Sequence, residues 1–156
     1  MPLRRSRTLR RKEQRLVLPK GDLASLYALG RRMADTALER KLPLLIQVRL
    51  GERIVFAAAL PGSTASNALW AERKSRLAAL FEHSSLRVRL VHERNGEDVH
   101  ARHALPIEAY AAHGGAFPLR VAGVGVIGTV VVSGLPQLED HAFVVEMLEA
   151  HIVGAR

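Results

Sequence analysis

A chain of 156 residues, 48% hydrophobic and 24% charged, has the makeup of one globular domain, large enough to bury roughly two-thirds of its unfolded surface. It has no cysteine, which excludes disulfides, thiolate metal sites, a cysteine nucleophile and a redox CxxC pair. No apolar run approaches the roughly 18 residues that span a bilayer, and no signal-type stretch follows the basic start, so a cytoplasmic protein with no membrane partner is expected.

The net charge of +8 is concentrated at one end. Residues 1–20 hold Arg4, Arg5, Arg7, Arg10, Arg11, Lys12, Arg15 and Lys20 against Glu13 alone, so the other 136 residues carry only +1. Such an arm can touch phosphates by counterion release, but it interleaves no aromatics and displays no base-reading motif. Nucleic acid is therefore not an expected partner, and a solvated or subunit-packing segment is expected at 1–15, ahead of a single domain over 16–156.

Leu16-Val17-Leu18 reads as an opening strand ended by Pro19. Asp22 can cap a helix with Leu23, Leu26, Tyr27, Gly30, Met33, Ala34, Ala37 and Leu38 at helical spacing. Residues 44–50 and 53–60 form two strand-like runs joined by the tight Gly51-Glu52 link of a hairpin. Thr64 or Ser66 can cap a helix reaching about Glu82, with Trp70, Lys74, Leu77 and Phe81 on successive turns. In 86–91, Leu86, Val88 and Leu90 alternate with Arg87 and Arg89 as in a half-buried strand, yet a helix is equally allowed. Asn95-Gly96 ends that element, and 97–103 reads as a polar loop. Residues 117–121 and 124–132 look like a second antiparallel pair, and Pro136 at an N1 position opens a last helix through about Ile152, with Glu139 and Asp140 complementing its dipole. Hairpins rather than crossovers imply an α+β fold, an antiparallel sheet flanked by helices.

Gly123-Val124-Gly125-Val126-Ile127-Gly128 matches the dinucleotide pattern GxGxxG. A β-branched strand run follows it, not a helix, so no helix end is offered to a phosphate, and no nicotinamide or flavin dinucleotide is expected. There is no G-x-S-x-G, no H-E-x-x-H and no Cys/His cluster at metal spacing. His92, His100 and His103 fall around a polar stretch that reads as solvated loop, and Ser84-Ser85 reads as a helix cap. No catalytic residue is assigned.

Several blocks carry a specific resemblance. Pro61-Gly62-Ser63-Thr64, Trp70 with Arg73-Lys74, Ser84-Ser85, His113-Gly114-Gly115 with Phe117-Pro118, Gly125 with Gly128, and residues Ser133 to His141 resemble the UPF0303 family, in that family's order and over most of residues 16–152. That family is grouped with GlcG-like and HbpS-like proteins, often labelled heme-degrading domain proteins. The resemblance implies a profilin-like three-layer α/β/α sandwich that assembles into homo-oligomers. The basic arm and the His-rich residues 95–105 depart from the family pattern and inherit no role from it.

The same blocks can be read as chemistry. His113 beside Gly114 and Gly115 offers an imidazole next to backbone able to form an anion-binding nest, with the alternative of a tight turn holding a hydrogen-bonded histidine. Trp70 and Lys74 share a helix face beside Arg73, which suits a flat carboxylate-bearing ligand such as heme; the alternative is a core or interface Trp covered by a lysine stem. Glu139, Asp140 and His141 diverge by about 100° each and cannot all face one metal. Two functions follow. One is a module for a small anionic ligand, heme by resemblance, with His113 as first iron-ligand candidate, His141 as second, and Arg73 and surface-exposed Lys74 steering propionates. The other is an oligomeric scaffold built from the same motifs. A shared ligand pocket is expected among Trp70, Arg73, Lys74, His113, Gly114, Gly115, Ser133, Gln137, Asp140 and His141.

Overall fold

The computed structural model describes residues 2–155, with side chains from Arg7 onward. The elements are α1 (Pro2–Arg15), β1 (Val17–Leu18), α2 (Leu23–Glu39), β2 (Leu45–Leu50), β3 (Arg53–Ala59), α3 (Ala65–Phe81), α4 (Ser85–Asn95), α5 (Val99–His103), β4 (Ala116–Val121), β5 (Gly125–Ser133) and α6 (Gln137–Gly154).

The strands form one sheet in the order β1-β4-β5-β2-β3. Strand alternation divides their side chains between two faces. Ile46, Val48, Phe117, Leu119, Val130 and Val132 point to one face and pack with Leu26, Leu29 and Met33 of α2 and Phe143, Val144 and Met147 of α6. Leu45, Ala116 and Val131 point to the other and meet Ala71 and Ala78 of α3. The result is a three-layer α+β fold. The sheet is mixed rather than wholly antiparallel: β2–β3, β2–β5 and β4–β5 run antiparallel, but β1 pairs parallel with β4 through Val17↔Arg120 and Leu18↔Val121. Only strands joined by tight turns are forced antiparallel, and β1 is separated from β4 by four helices and a hairpin, so nothing local fixed its direction.

Thr64 is the cap of α3. Its side chain accepts from the Asn67 amide at 3.4 Å, and Asn67 Oδ1 accepts from the Thr64 amide at 2.7 Å, satisfying two helix-end donors reciprocally. Residues 86–91 are helical in α4, which Ser84 caps by accepting from the Arg87 amide at 3.2 Å. The helix wins because Val88 reaches a small core with Leu77, Val99 and Ala112, whereas no neighbouring strand is available at this position. Residues 97–103 are not a plain loop: Asp98 caps α5 by accepting from the Ala101 amide at 2.8 Å, and buried Val99 anchors it. Pro136 is the N-cap of α6 rather than its first helical residue, with an extended ψ of 144°. The residues of the GxGxxG pattern lie in the β4–β5 hairpin and within β5, with no helix following them.

The basic arm is helical in α1. Its single acid, Glu13, faces the body, where it accepts from the Ser84 hydroxyl and, at 3.4 Å, from Arg87.

Candidate functional site

Lys74 projects from α3 toward the junction of β5 and α6. The sequence placed it on the surface, steering propionates; it is instead 2% exposed. Its ammonium donates to Val132 O at 2.7 Å, Gly114 O at 3.0 Å and Asp140 Oδ2 at 3.1 Å, so all three of its donors are used inside the protein. Asp140 accepts in turn from the Leu135 amide at 3.0 Å through Oδ1. It ties the β5–α6 connection to α3, a larger role than complementing a helix dipole. Burial pushes the Lys74 pKa down and the Asp140 pKa up, and the attraction between the two opposes both shifts.

The turn from His113 to Gly115 crosses directly above this pair, and glycine is what lets it pass. A Cβ on Gly115, whose φ is 127°, would lie 2.6 Å from Lys74 Nζ and from Val132 O; one on Gly114 would lie 2.3 Å from Gln137 O. The Gly114 amide donates to Gln137 Oε1 at 3.1 Å. With that amide engaged, one donor of the anion nest expected from the glycines is already in use.

Over this base opens a cleft of about 260 Å³ lined by Trp70, Lys74, His113, Gly114, Ser133, Gln137 and Asp140. Asn67, Gly134 and Leu135 line it as well and were not anticipated; Asn67 lies one turn before Trp70, which is the signal that could have found it. Gly115 lies beneath the cleft against Lys74 and Asp140. The His113 ring stands edge-on to Trp70, with centroids 4.8 Å apart. Arg73 covers the Trp70 ring, its Cζ 4.6 Å from the centroid, and is pinned by donating to Ile107 O at 2.7 Å and 3.2 Å. It therefore lies outside this cleft, in a second hollow of about 320 Å³ that it shares with Arg89, His92, His100 and His113. His113 is the residue common to both hollows. Burial lowers its pKa first, and Arg89, Lys74 and Arg73 lower it further, so its imidazole is neutral at pH 7; its Nδ1 is buried with no partner.

His141 does not join the cleft. Its ring lies 4.8 Å from that of Phe117, within the body of the protein, with Nδ1 buried and unpartnered. Burial, aided by Lys12, lowers its pKa to about 4. One helical position separates it from Asp140, and that 100° turn sends the two side chains to different places. His92, His100 and His103 are bonded rather than free in a solvated loop: His92 Nδ1 meets Val88 O at 2.7 Å, His92 Nε2 meets His103 Nε2 at 2.9 Å, and His100 Nε2 meets Tyr110 O at 2.8 Å. No group of three or more metal-ligating side chains occurs among the described residues, and none of their helices is long and apolar enough to cross a membrane.

A family model described as "Haem degrading protein HbpS-like" matches residues 22–149. A UPF0303 protein of Burkholderia thailandensis is 46% identical over 140 residues, covering 90% of this chain and 85% of the relative, and one of Streptomyces avermitilis is 45% identical over 141 residues, covering 90% and 86%. Among solved structures, the Ybr137w protein superposes with a TM-score of 0.84 at 25% identity over 96% of this chain and 88% of that one. A PduOC:heme complex superposes with a TM-score of 0.70 at 16% identity, covering 85% and 94%, and Streptomyces reticuli HbpS, as a double mutant, with 0.65 at 15%, covering 83% and 86%.

Proposed function

Because the chain belongs to the HbpS-like family, we propose that the clefts meeting at His113 bind a small, flat anionic ligand, with heme the first to test. The observation that carries this reading is a neutral imidazole edge-on to an indole, in the wall shared by two hollows, one of which Arg73 and Arg89 also line.

Heme asks for an uncharged imidazole nitrogen, a flat apolar wall and cations for its carboxylates. His113 and Trp70 supply the first two; Arg73, stacked over the Trp70 ring, and Arg89, paired with Glu93 at 2.8 Å, bring positive charge to the second hollow. His141, enclosed beside Phe117, does not fit as an iron ligand. When bound, heme would supply a Lewis-acidic, redox-active iron. The chain's part would be to hold the porphyrin edge against Trp70 and to neutralise its carboxylates. His113 Nδ1 has no protein carbonyl or carboxylate as partner, whereas iron-bound histidines usually donate that N–H to one.

Titration of the whole chain with heme, read at the Soret band, tests this. Saturation at one heme per chain is expected, with His113→Ala altering the band and weakening binding about tenfold, or ~1.4 kcal/mol. Unsaturable uptake, or a spectrum indifferent to His113→Ala, would refute it.

A second reading, a homo-oligomeric scaffold, draws on a different patch. Leu69 and Ile107, each 65% exposed, border a hollow of about 520 Å³ beside Trp70, rimmed by Glu72, Arg73, Arg76 and Glu108. An apolar centre inside a rim of both charge signs suits a self-complementary contact with a second copy. Light scattering at micromolar concentration should give a dimer or larger for the wild type and a smaller mass for Ile107→Lys. A wild-type monomer removes this reading.

A further inference from the structure

We propose that α1 is a docking surface for double-stranded nucleic acid that grips the phosphate backbone without reading sequence. The absence of aromatics and base-reading motifs in the arm argues against base recognition only. What the folded helix adds is geometry. At 100° per residue, Leu9 and Glu13 fall on one side and are partly buried, and Leu16, just past the helix, is buried. Glu13 fixes that side to the body through Ser84 and Arg87. On the opposite side Arg7, Arg11 and Arg15 lie within an arc of about 80°, each four residues from the next. All three are exposed, as are Arg10 and Lys12, and none of the five is paired with a carboxylate among the described residues.

The only acid of the helix is thus spent on docking, and the cationic stripe is left uncompensated. The stripe spans about 12 Å, over which one strand of a duplex presents three or four phosphates. Beside it, Arg10, Arg87 and Arg120 line a cleft of about 360 Å³ between α1 and β4 together with Glu13 and Glu82.

Two other polyanions fit less well. An interfacial membrane helix needs a free apolar face, and that of α1 is turned onto the body. Single-stranded nucleic acid is held by stacking its bases on aromatic side chains, and α1 has none.

Fluorescence anisotropy with a labelled 20-base-pair duplex of arbitrary sequence, at salt from 50 to 200 mM, tests the proposal on the full chain. About three neutralised phosphates predict a slope of log K against log salt of about −2.7 and an affinity loss of roughly 40-fold across that range. The triple variant Arg7→Gln, Arg11→Gln, Arg15→Gln should flatten the slope by two to three, because glutamine keeps helix propensity while removing charge. A control triple, Arg31→Gln, Arg53→Gln, Arg102→Gln, removes the same net charge from the body and should leave the slope unchanged. Equal losses in the two triples, no salt-dependent binding at 50 mM, or equally strong retention by phosphatidylserine–phosphatidylcholine vesicles would each overturn it.

Discussion

Replacing Lys74 with alanine is expected to destabilise the fold by about 3–5 kcal/mol, the usual cost of breaking one partner out of a buried ion pair. The ammonium satisfies Gly114 O, Val132 O and Asp140 at once, so its removal strands a buried carboxylate and two carbonyls where α3, β5 and α6 meet. For a domain of this size the loss should lower Tm by roughly 10 °C. Urea denaturation measures it directly. The double variant Lys74→Met, Asp140→Leu should recover part of the loss, because no uncompensated charge then remains. A loss below about 1 kcal/mol in Lys74→Ala would show that the lysine is free to serve a ligand after all.

Acidification should cost the wild type about 2 kcal/mol more stability between pH 7.5 and pH 5 than it costs His141→Leu. The folded pKa of His141 lies near 4, below its ordinary 6.5, so the unfolded chain takes up a proton first as pH falls. Stability from this residue is complete above about pH 6.5 and is lost as pH falls toward 4. Burial lowers the pKa of His83, His113 and His151 as well, so they add to the trend, and the variant isolates the share of His141. Parallel pH profiles for the two proteins would contradict the assignment.

The helices and hairpins with one dominant period were legible in the sequence. α2 and α6 bury a stripe that recurs at helical spacing, Thr64 stands where its capping chemistry is needed, and Gly51 permits the β2–β3 turn with a φ of 58°. What escaped the sequence depends on distant partners. Residues 86–91 satisfy both the strand and the helix template, and only the contact of Val88 with Leu77 and Val99 decides between them. The direction of β1 follows from its place at the edge beside β4.

The site divides along the same line. Trp70, His113 and Asp140 line one cleft, but what each does there is set by depth. Lys74 shares a face with Trp70, and one turn along α3 carries it from a partly open position to a buried one. Asp140 and His141 are adjacent in sequence, yet only the first reaches the cleft. No spacing rule distinguishes a lysine that meets a ligand from one that holds the turn on which a ligand would rest.

That distinction gives the cleft a buried, bonded floor, and binding should register at its open rim. The most direct measurement is amide and indole NMR shift mapping during titration with a diamagnetic metalloporphyrin. The account predicts saturable shifts at one equivalent for the Trp70 indole and for His113, Gly114, Ser133 and Gly134, with α1 and the β2–β3 hairpin undisturbed. Shifts confined to the basic stripe of α1 or to the Leu69 and Ile107 patch, with the cleft silent, would contradict it.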